Sequence, residues 1–403
     1  MKFLSVILLT LMIGCKDQVS SDSNEIVTQD PVSACVLTDD VNPVLPNQVT
    51  LADNGSTLNS VQVSWQSATD NCAVSHYEIA IGLSAASSDI LPFTNIGNST
   101  SYQSTGVNFD YTKDYYFTIK AVDEKGNSSA VVTSNSWQIF NAKTLTNLVL
   151  WIDASNLTSI SDDEGDHPTE TNFSNEISSW ADISGSSAVH SFSATTTKPN
   201  WDVVENAVRF NGSNQFLATA DHSDINLSTI AQRSLVTVIK TGNNVSTRQI
   251  IYEEGGTVRG LNIYIEESKI RCGFWNDTND GDGTQGYVEV TGNISANTSY
   301  TVNYILDYSN FSSGSGADGT VSCSLNNVSL GSVNTTSRLF AHSGDIGLGS
   351  LNQHSYFHDG ASSGTEEYFF NGILYEFLMY NSVHSDESRT KLSNSLKKKW
   401  NIY

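Results

Sequence analysis

The chain has 403 residues, 38% of them hydrophobic, more than one ordinary core accommodates, so two domains are expected. Its 43 acidic against 20 basic residues give a formal charge of -23. That balance argues against a nucleic acid partner, because binding to a phosphate backbone runs on Lys and Arg.

The N-terminus reads as a targeting segment, with Lys2 as the positive start, Phe3 to Ile13 as a short apolar run and Gly14-Cys15 as its end. Leu11-Met12-Ile13-Gly14-Cys15 resembles a bacterial lipobox. The resemblance implies a signal peptide over 1–14 and an acylated Cys15 that makes the membrane a partner through its lipid. Lys16 follows the cysteine, which by the sorting rule of enteric bacteria points to the outer membrane or cell surface of the envelope. Residues 15–34 are rich in Ser, Asp, Asn and Gln with little to bury, so a disordered tether is expected there.

Five cysteines less Cys15 leave Cys35, Cys72, Cys272 and Cys323, an even number that fits two disulfides in an oxidising compartment. Three connectivities are open. The one that stays within each expected domain pairs Cys35 with Cys72 and Cys272 with Cys323. Zinc is a poor alternative for these four, since no Cys-x-x-Cys pair occurs among them.

Residues 35–141 carry a period-two pattern: Val61, Val63 and Trp65; Tyr77, Ile79 and Ile81; Tyr115, Phe117, Ile119 and Ala121. Each set gives a strand with one buried face. Val61 to Trp65, Ser75 to Ile79 and Phe109 to Val122 stand in the order of the second, third and sixth strands of a fibronectin type III domain, which this region resembles. Phe109 followed by Tyr115 looks like that family's tyrosine corner, without its usual proline. Asp70 to Val74 and Asp123 to Asn127 resemble its loop and hairpin turn. The resemblance implies an immunoglobulin-like sandwich acting as a spacer.

Residues 145–403 resemble a laminin-G-like, concanavalin-A-type jelly roll. Leu148 to Ala154 matches the opening strand, Trp180 to Gly185 an aromatic turn, and Val208 to Leu217 a hairpin around Asn211-Gly212. Later strands are expected at Val236 to Lys240, Gly260 to Ile265, Val321 to Leu325 and Ile346 to Gly349. The closing strand runs from Phe369 to Tyr380. A helix follows, with Ser385 as its cap, acidic residues at its start, lysines at its end, and Leu392, Leu396 and Trp400 on one stripe. The fold class is therefore all-β, a small sandwich followed by a larger jelly roll with a short C-terminal helix. Both Cys272 and Cys323 fall in strand sequences, which are expected to be neighbours.

Glycosidases on such sandwiches set carboxylates at alternate or nearby positions of one strand, and no such run occurs here. Glu253-Glu254 and Glu366-Glu367 are adjacent pairs that a strand sends to opposite faces, and Glu376 stands alone, suited to a structural hydrogen-bonding role. Gly360 to Gly364 fits the letters Gly-x-Ser-x-Gly, but a strand follows where the nucleophile elbow needs a helix. His342, His354 and His358 lack metal spacing and read as loop decoration. Asp277, Asn279, Asp280 and Asp282 among glycines make a candidate Ca2+ loop, although EF-hand spacing fails at Gly281 and Val288, and a solvated hairpin loop is favoured.

The expected function is a lipid-anchored extracytoplasmic protein whose jelly roll binds an extracellular glycan or protein without catalysis. The alternatives are a glycan-cleaving enzyme and a purely structural envelope protein.

Overall fold

Period-two apolar runs cut by Asn, Asp and Gly turns fold this chain into antiparallel sheets. The computed structural model describes residues 39–51, 61–107, 109, 113–137, 140, 142–194, 197–277, 284–309, 319–364 and 366–402. Cys15, Cys35, Asn279, Asp280 and Asp282 lie outside them.

Two small sheets come first. Val49–Leu51, Gln62–Trp65 and Ser101–Gln103 form one; Leu91–Asn95, Val74–Gly82, Tyr116–Asp123 and Val132–Thr133, in that spatial order, form the other. Val61, Val63, Tyr77, Ile79, Ile81, Phe117 and Ile119 meet in a buried cluster with Phe109, Tyr115 and Trp137. Phe109 packs edge-on against Tyr115 with ring centroids 4.8 Å apart.

A separate and larger buried cluster gathers residues from Ala142 to Ile402. It lies between two sheets, as the jelly-roll expectation requires. The nine-stranded sheet runs in the order Gln285–Asn293, Lys269–Asn276, Arg259–Glu266, Gln249–Gly255, Ile346–Leu348, Leu217–Thr219, Phe192–Ala194, Ser179–Trp180 and Ile160–Ser161. The second sheet has Asn371–Tyr380 at its heart. That strand pairs along one side with Gln232–Thr241 and along the other with Ala207–Asn211 and, end to end with it, Leu148–Asp153. Ser299–Asp307, Gly319–Leu325 and Val328–Thr335 extend the sheet beyond Gln232–Thr241.

The helix Asp386–Lys399 begins where Ser385 Oγ accepts the Ser388 N–H at 3.2 Å. Leu392 and Leu396 enter the larger cluster, and Ser393 Oγ meets Thr301 Oγ1 at 3.1 Å, so the helix lies on the second sheet.

Two expectations are corrected. Ala207–Asn211 and Leu217–Thr219 are not a hairpin: the first joins the second sheet and the other joins the nine-stranded sheet. The turn at Gly212, with φ of 75°, carries the chain across the sandwich, and Asn211 Oδ1 ties it by accepting the Ser213 and Asn214 N–H groups. Cys272 and Cys323 are bonded, but their strands are not neighbours. One lies in each sheet, and the bridge crosses the core with Cα atoms 6.3 Å apart. Cys72 is also disulfide-bonded, and the pairing expected for it with Cys35 lies outside the described residues.

Candidate functional site

The strand Arg259–Glu266 sends Leu261, Ile263 and Ile265 into the core, which leaves Asn262 and Tyr264 on the outer face of the nine-stranded sheet. On Lys269–Asn276 the same alternation leaves Arg271, Gly273 and Trp275 outside, and on Gln285–Asn293 it leaves Tyr287 and Glu289. Gly273 stands opposite both Asn262 and Glu289. A Cβ there would lie 2.0 Å from the Tyr287 hydroxyl and 2.3 Å from Asn262 Oδ1. The missing side chain lets the Tyr287 ring lie across the sheet, with its hydroxyl 3.3 Å from Glu289 Oε2 and 3.4 Å from Asn262 Oδ1.

A hairpin closed by Leu351 opposite Glu367 and by Ser355–Tyr356 against Ser362–Ser363 covers this face. Asn262 Nδ2 donates to Ser355 Oγ and to the Tyr356 carbonyl, both at 2.9 Å, and Tyr264 Oη sits 2.9 Å from His358 Nδ1. Ile250, Tyr264, Leu351 and Phe357 form a small buried cluster beneath it. The Arg248 guanidinium lies 4.1 Å from the Phe357 ring centroid and pairs with Glu266 and Asp359 at 2.9 Å each. Ser362 is part of this hairpin, so the Gly-x-Ser-x-Gly letters mark no nucleophile elbow.

Beside the hairpin is a recess of about 560 Å³. Its walls are the turn Gly256 to Arg259, the segment Ala341 to Gly344, Leu227, and Gln353 and His354 of the hairpin. Leu227 and Val258 are exposed, 48% and 41%, where an apolar ligand face would meet them. Arg259 Nη1 donates to the Ala341 carbonyl at 2.9 Å, and Gln353 Nε2 donates to Asp345 Oδ2 at 2.8 Å, so the polar groups are oriented. The walls of the recess thus mix the apolar surface of Leu227 and Val258 with polar groups held in fixed positions.

Adjacent carboxylates do separate as strand geometry requires. Glu254 turns to the interior, where Arg233 Nη1 reaches both its oxygens at 2.5 and 2.6 Å and Tyr252 Oη donates at 2.6 Å. Burial raises its pKa against the opposing effect of Arg233. Glu253 turns the other way, accepts the Asn352 N–H at 3.0 Å and keeps Oε2 without a hydrogen-bond partner. Burial pushes its pKa well up, which is the shift of a general acid, but the side chain has no exposed surface through which to meet a substrate.

Glu376 is a buried anchor. Trp151 Nε1 donates to Oε1, while Trp400 Nε1 and Lys399 Nζ donate to Oε2, all at 2.7 Å; Lys399 also pairs with Asp153 at 2.6 Å. Burial raises the Glu376 pKa, and Lys399 opposes that rise. All seven tryptophans are accounted for in the described residues: Trp65, Trp137, Trp180 and Trp201 in the cores, Trp275 buried on the outer face of the nine-stranded sheet, and Trp151 and Trp400 tied to Glu376. Partly exposed aromatic rings near the hairpin belong instead to Tyr287, Tyr356 and Tyr368.

The remaining expected site residues scatter. Asp277 follows the strand Lys269–Asn276, its N–H bonded to the Val258 carbonyl at 2.8 Å, and burial raises its carboxyl pKa. It is the one member of the candidate Ca2+ set within the described residues. His354 lines the recess and His358 holds the hairpin. His342 is not loop decoration: it is buried, because its segment is pulled inward by the His342 N–H bond to the Asn226 carbonyl at 2.8 Å.

No protein-family model matches the chain, and no curated protein matches it. Among solved structures, it is similar to the receptor-binding domain of botulinum neurotoxin D, with TM-score 0.41 and 11% identity over 62% of this chain and 53% of that one. Similarity to the botulinum neurotoxin serotype G binding domain has TM-score 0.40 and 10% identity over 62% and 51% of the two chains. The binding domain of botulinum neurotoxin DC in complex with SialylT gives TM-score 0.39 and 10% identity over 62% and 51%. This chain thus spans about half of each of these chains. At such scores the likeness carries no argument about function.

Proposed function

We propose that this protein is an extracytoplasmic lipoprotein, anchored to the bacterial envelope through Cys15, whose jelly roll binds an extracellular glycan or protein without catalysis. In this reading residues 15–34 are the tether, 35–141 a fibronectin type III-like spacer, and 145–403 the binding domain. The observation that carries the binding role is the recess beside the hairpin, where exposed Leu227 and Val258 lie next to Arg259, Gln353 and His354. Apolar surface with oriented polar groups suits a sugar ring or a peptide side chain, both of which present an apolar face and hydrogen-bonding edges. A glycan-cleaving activity is the alternative reading; Glu253, which burial holds well above the usual carboxylate range, is sealed from solvent and is not placed to meet a substrate in the recess.

The test is a screen of the mature chain on glycan and surface-protein arrays, followed by Arg259→Ala and Gln353→Ala. Binding that falls about tenfold or more in both variants supports the recess, as central polar anchors of an interface behave. Undiminished binding in both refutes the recess as the site, and blank arrays return the structural envelope reading. Cys15→Ala should move the protein from the membrane to the soluble fraction; retention on the membrane refutes the anchor.

A further inference from the structure

A second set of groups converges away from the hairpin, on the loop that lends Leu227 to the recess. His190 is buried, 3% exposed, and its Nε2 has no hydrogen-bond partner. It lies 3.8 Å from Asp224 Oδ2, which is also 3.6 Å from His222 Nδ1. The two imidazole rings meet edge-on with centroids 4.6 Å apart, and one ligand atom from each of the three residues lies within 4.8 Å of the others. An unpartnered buried imidazole nitrogen is costly unless something occupies it.

We propose that His190, His222 and Asp224 form a binding site for a borderline transition-metal cation, Zn2+ in the first instance. Metal–ligand bonds of about 2.0–2.2 Å set tetrahedral donors about 3.4 Å apart, close to the two separations that Asp224 makes. Two imidazoles and one carboxylate are ligands that suit Zn2+ rather than Ca2+, which wants oxygen throughout. The set supplies three ligands and leaves a fourth position for water or a ligand group.

The loop is built to hold this shape. His222 receives three backbone hydrogen bonds on its carbonyl, from Ile225, Asn226 and Leu227 at 2.9–3.0 Å. Its N–H donates to Asn226 Oδ1 at 3.0 Å. The Asp224 carbonyl is clamped by Asn381 Nδ2 at 2.7 Å and Arg233 Nη2 at 3.2 Å. The His190 N–H points to Asp182 Oδ2 at 3.3 Å. His222 Nδ1 accepts the Asp224 N–H at 3.1 Å, which puts the proton of the neutral ring on Nε2, and a metal on Nδ1 would exchange that hydrogen bond for the coordinate bond. Side chains of His222 and Asp224 are each 39% exposed, which opens a path for the ion to the buried His190.

The experiment is calorimetric titration of the metal-stripped mature chain with Zn2+, with Co2+ as a spectroscopic substitute. One Zn2+ per chain is expected, with a raised thermal midpoint and the visible absorption of four-coordinate cobalt. His222→Gln and Asp224→Asn, both partly exposed, should each weaken binding about tenfold or more while keeping the metal-free midpoint. Should a variant fail to fold, proton NMR of the intact chain decides, since Zn2+ must shift the ring resonances of both His190 and His222. No heat of binding, equal binding by the folded variants, or unshifted His190 and His222 resonances overturns the site.

Discussion

His342 offers the sharpest quantitative test of the fold around the recess. Its Nδ1 lies 2.8 Å from the Phe340 carbonyl, which only accepts, so the neutral ring carries its proton there and buries an unpartnered Nε2. Burial is the main cause that lowers its pKa from 6.5 to about 4; the Phe340 carbonyl opposes this, Arg233 and Arg259 add to it, and Asp221 counters them. Because the folded pKa is depressed, the unfolded chain binds the proton first as pH falls below 6.5, and stability drops until the folded form also titrates near 4. A shift of this size is worth about 3 kcal/mol across that window. Urea unfolding of the wild type and of His342→Gln isolates it, since every other titrating group is common to both. The wild-type stability minus that of the variant should shrink by about 3 kcal/mol between neutral pH and about pH 4. A difference that stays constant with pH, or a ring titration by NMR centred near 6.5, refutes the reasoning.

Replacing Lys399 by Met leaves Glu376 and Asp153 without their shared cation and should cost about 3 kcal/mol; adding Glu376→Gln should recover part of it in a double-mutant cycle. Cys272→Ser with Cys323→Ser opens a crosslink of sequence separation 51 and should lower stability by about 4 kcal/mol in denaturant titration, with little loss contradicting the bridge. Gly273→Ala puts a methyl on the Tyr287 hydroxyl, so hydrogen exchange of the hairpin at 352–364 should quicken, at a cost of about 1–3 kcal/mol. Ending the chain at Tyr380 removes Leu392, Leu396, Lys399 and Trp400 from the second sheet; cooperative unfolding of the truncated protein would contradict the helix's role.

The strands were legible because alternation is local: Val61, Val63 and Trp65, or Leu261, Ile263 and Ile265, announce a buried face whatever they pair with. Partners are not local, and alternation does not specify them. Asn211-Gly212 turns the chain equally well into a hairpin or across a sandwich, and only the pairing of Val208 with Leu374 and of Leu217 with Leu348 decides between them. Cys272 and Cys323 advertised a bridge, but their strands carry no mark of which sheet they join. The same limit hides the sites. His222 and Asp224 stand two apart, a visible pair, yet the third donor comes from another loop and is recognisable only when its buried Nε2 meets Asp224. Leu227, Arg259, Ser343 and Gln353 line one recess from four segments with no shared motif. A β-sandwich places its binding groups on the connections between strands, so the pattern that reveals the frame is silent about the surface the frame presents. Chemistry here is therefore best sought where a buried polar atom lacks a partner, as at His190 and Glu253, and of those two His190 stands beside further metal-ligating side chains, His222 and Asp224, that solvent can reach.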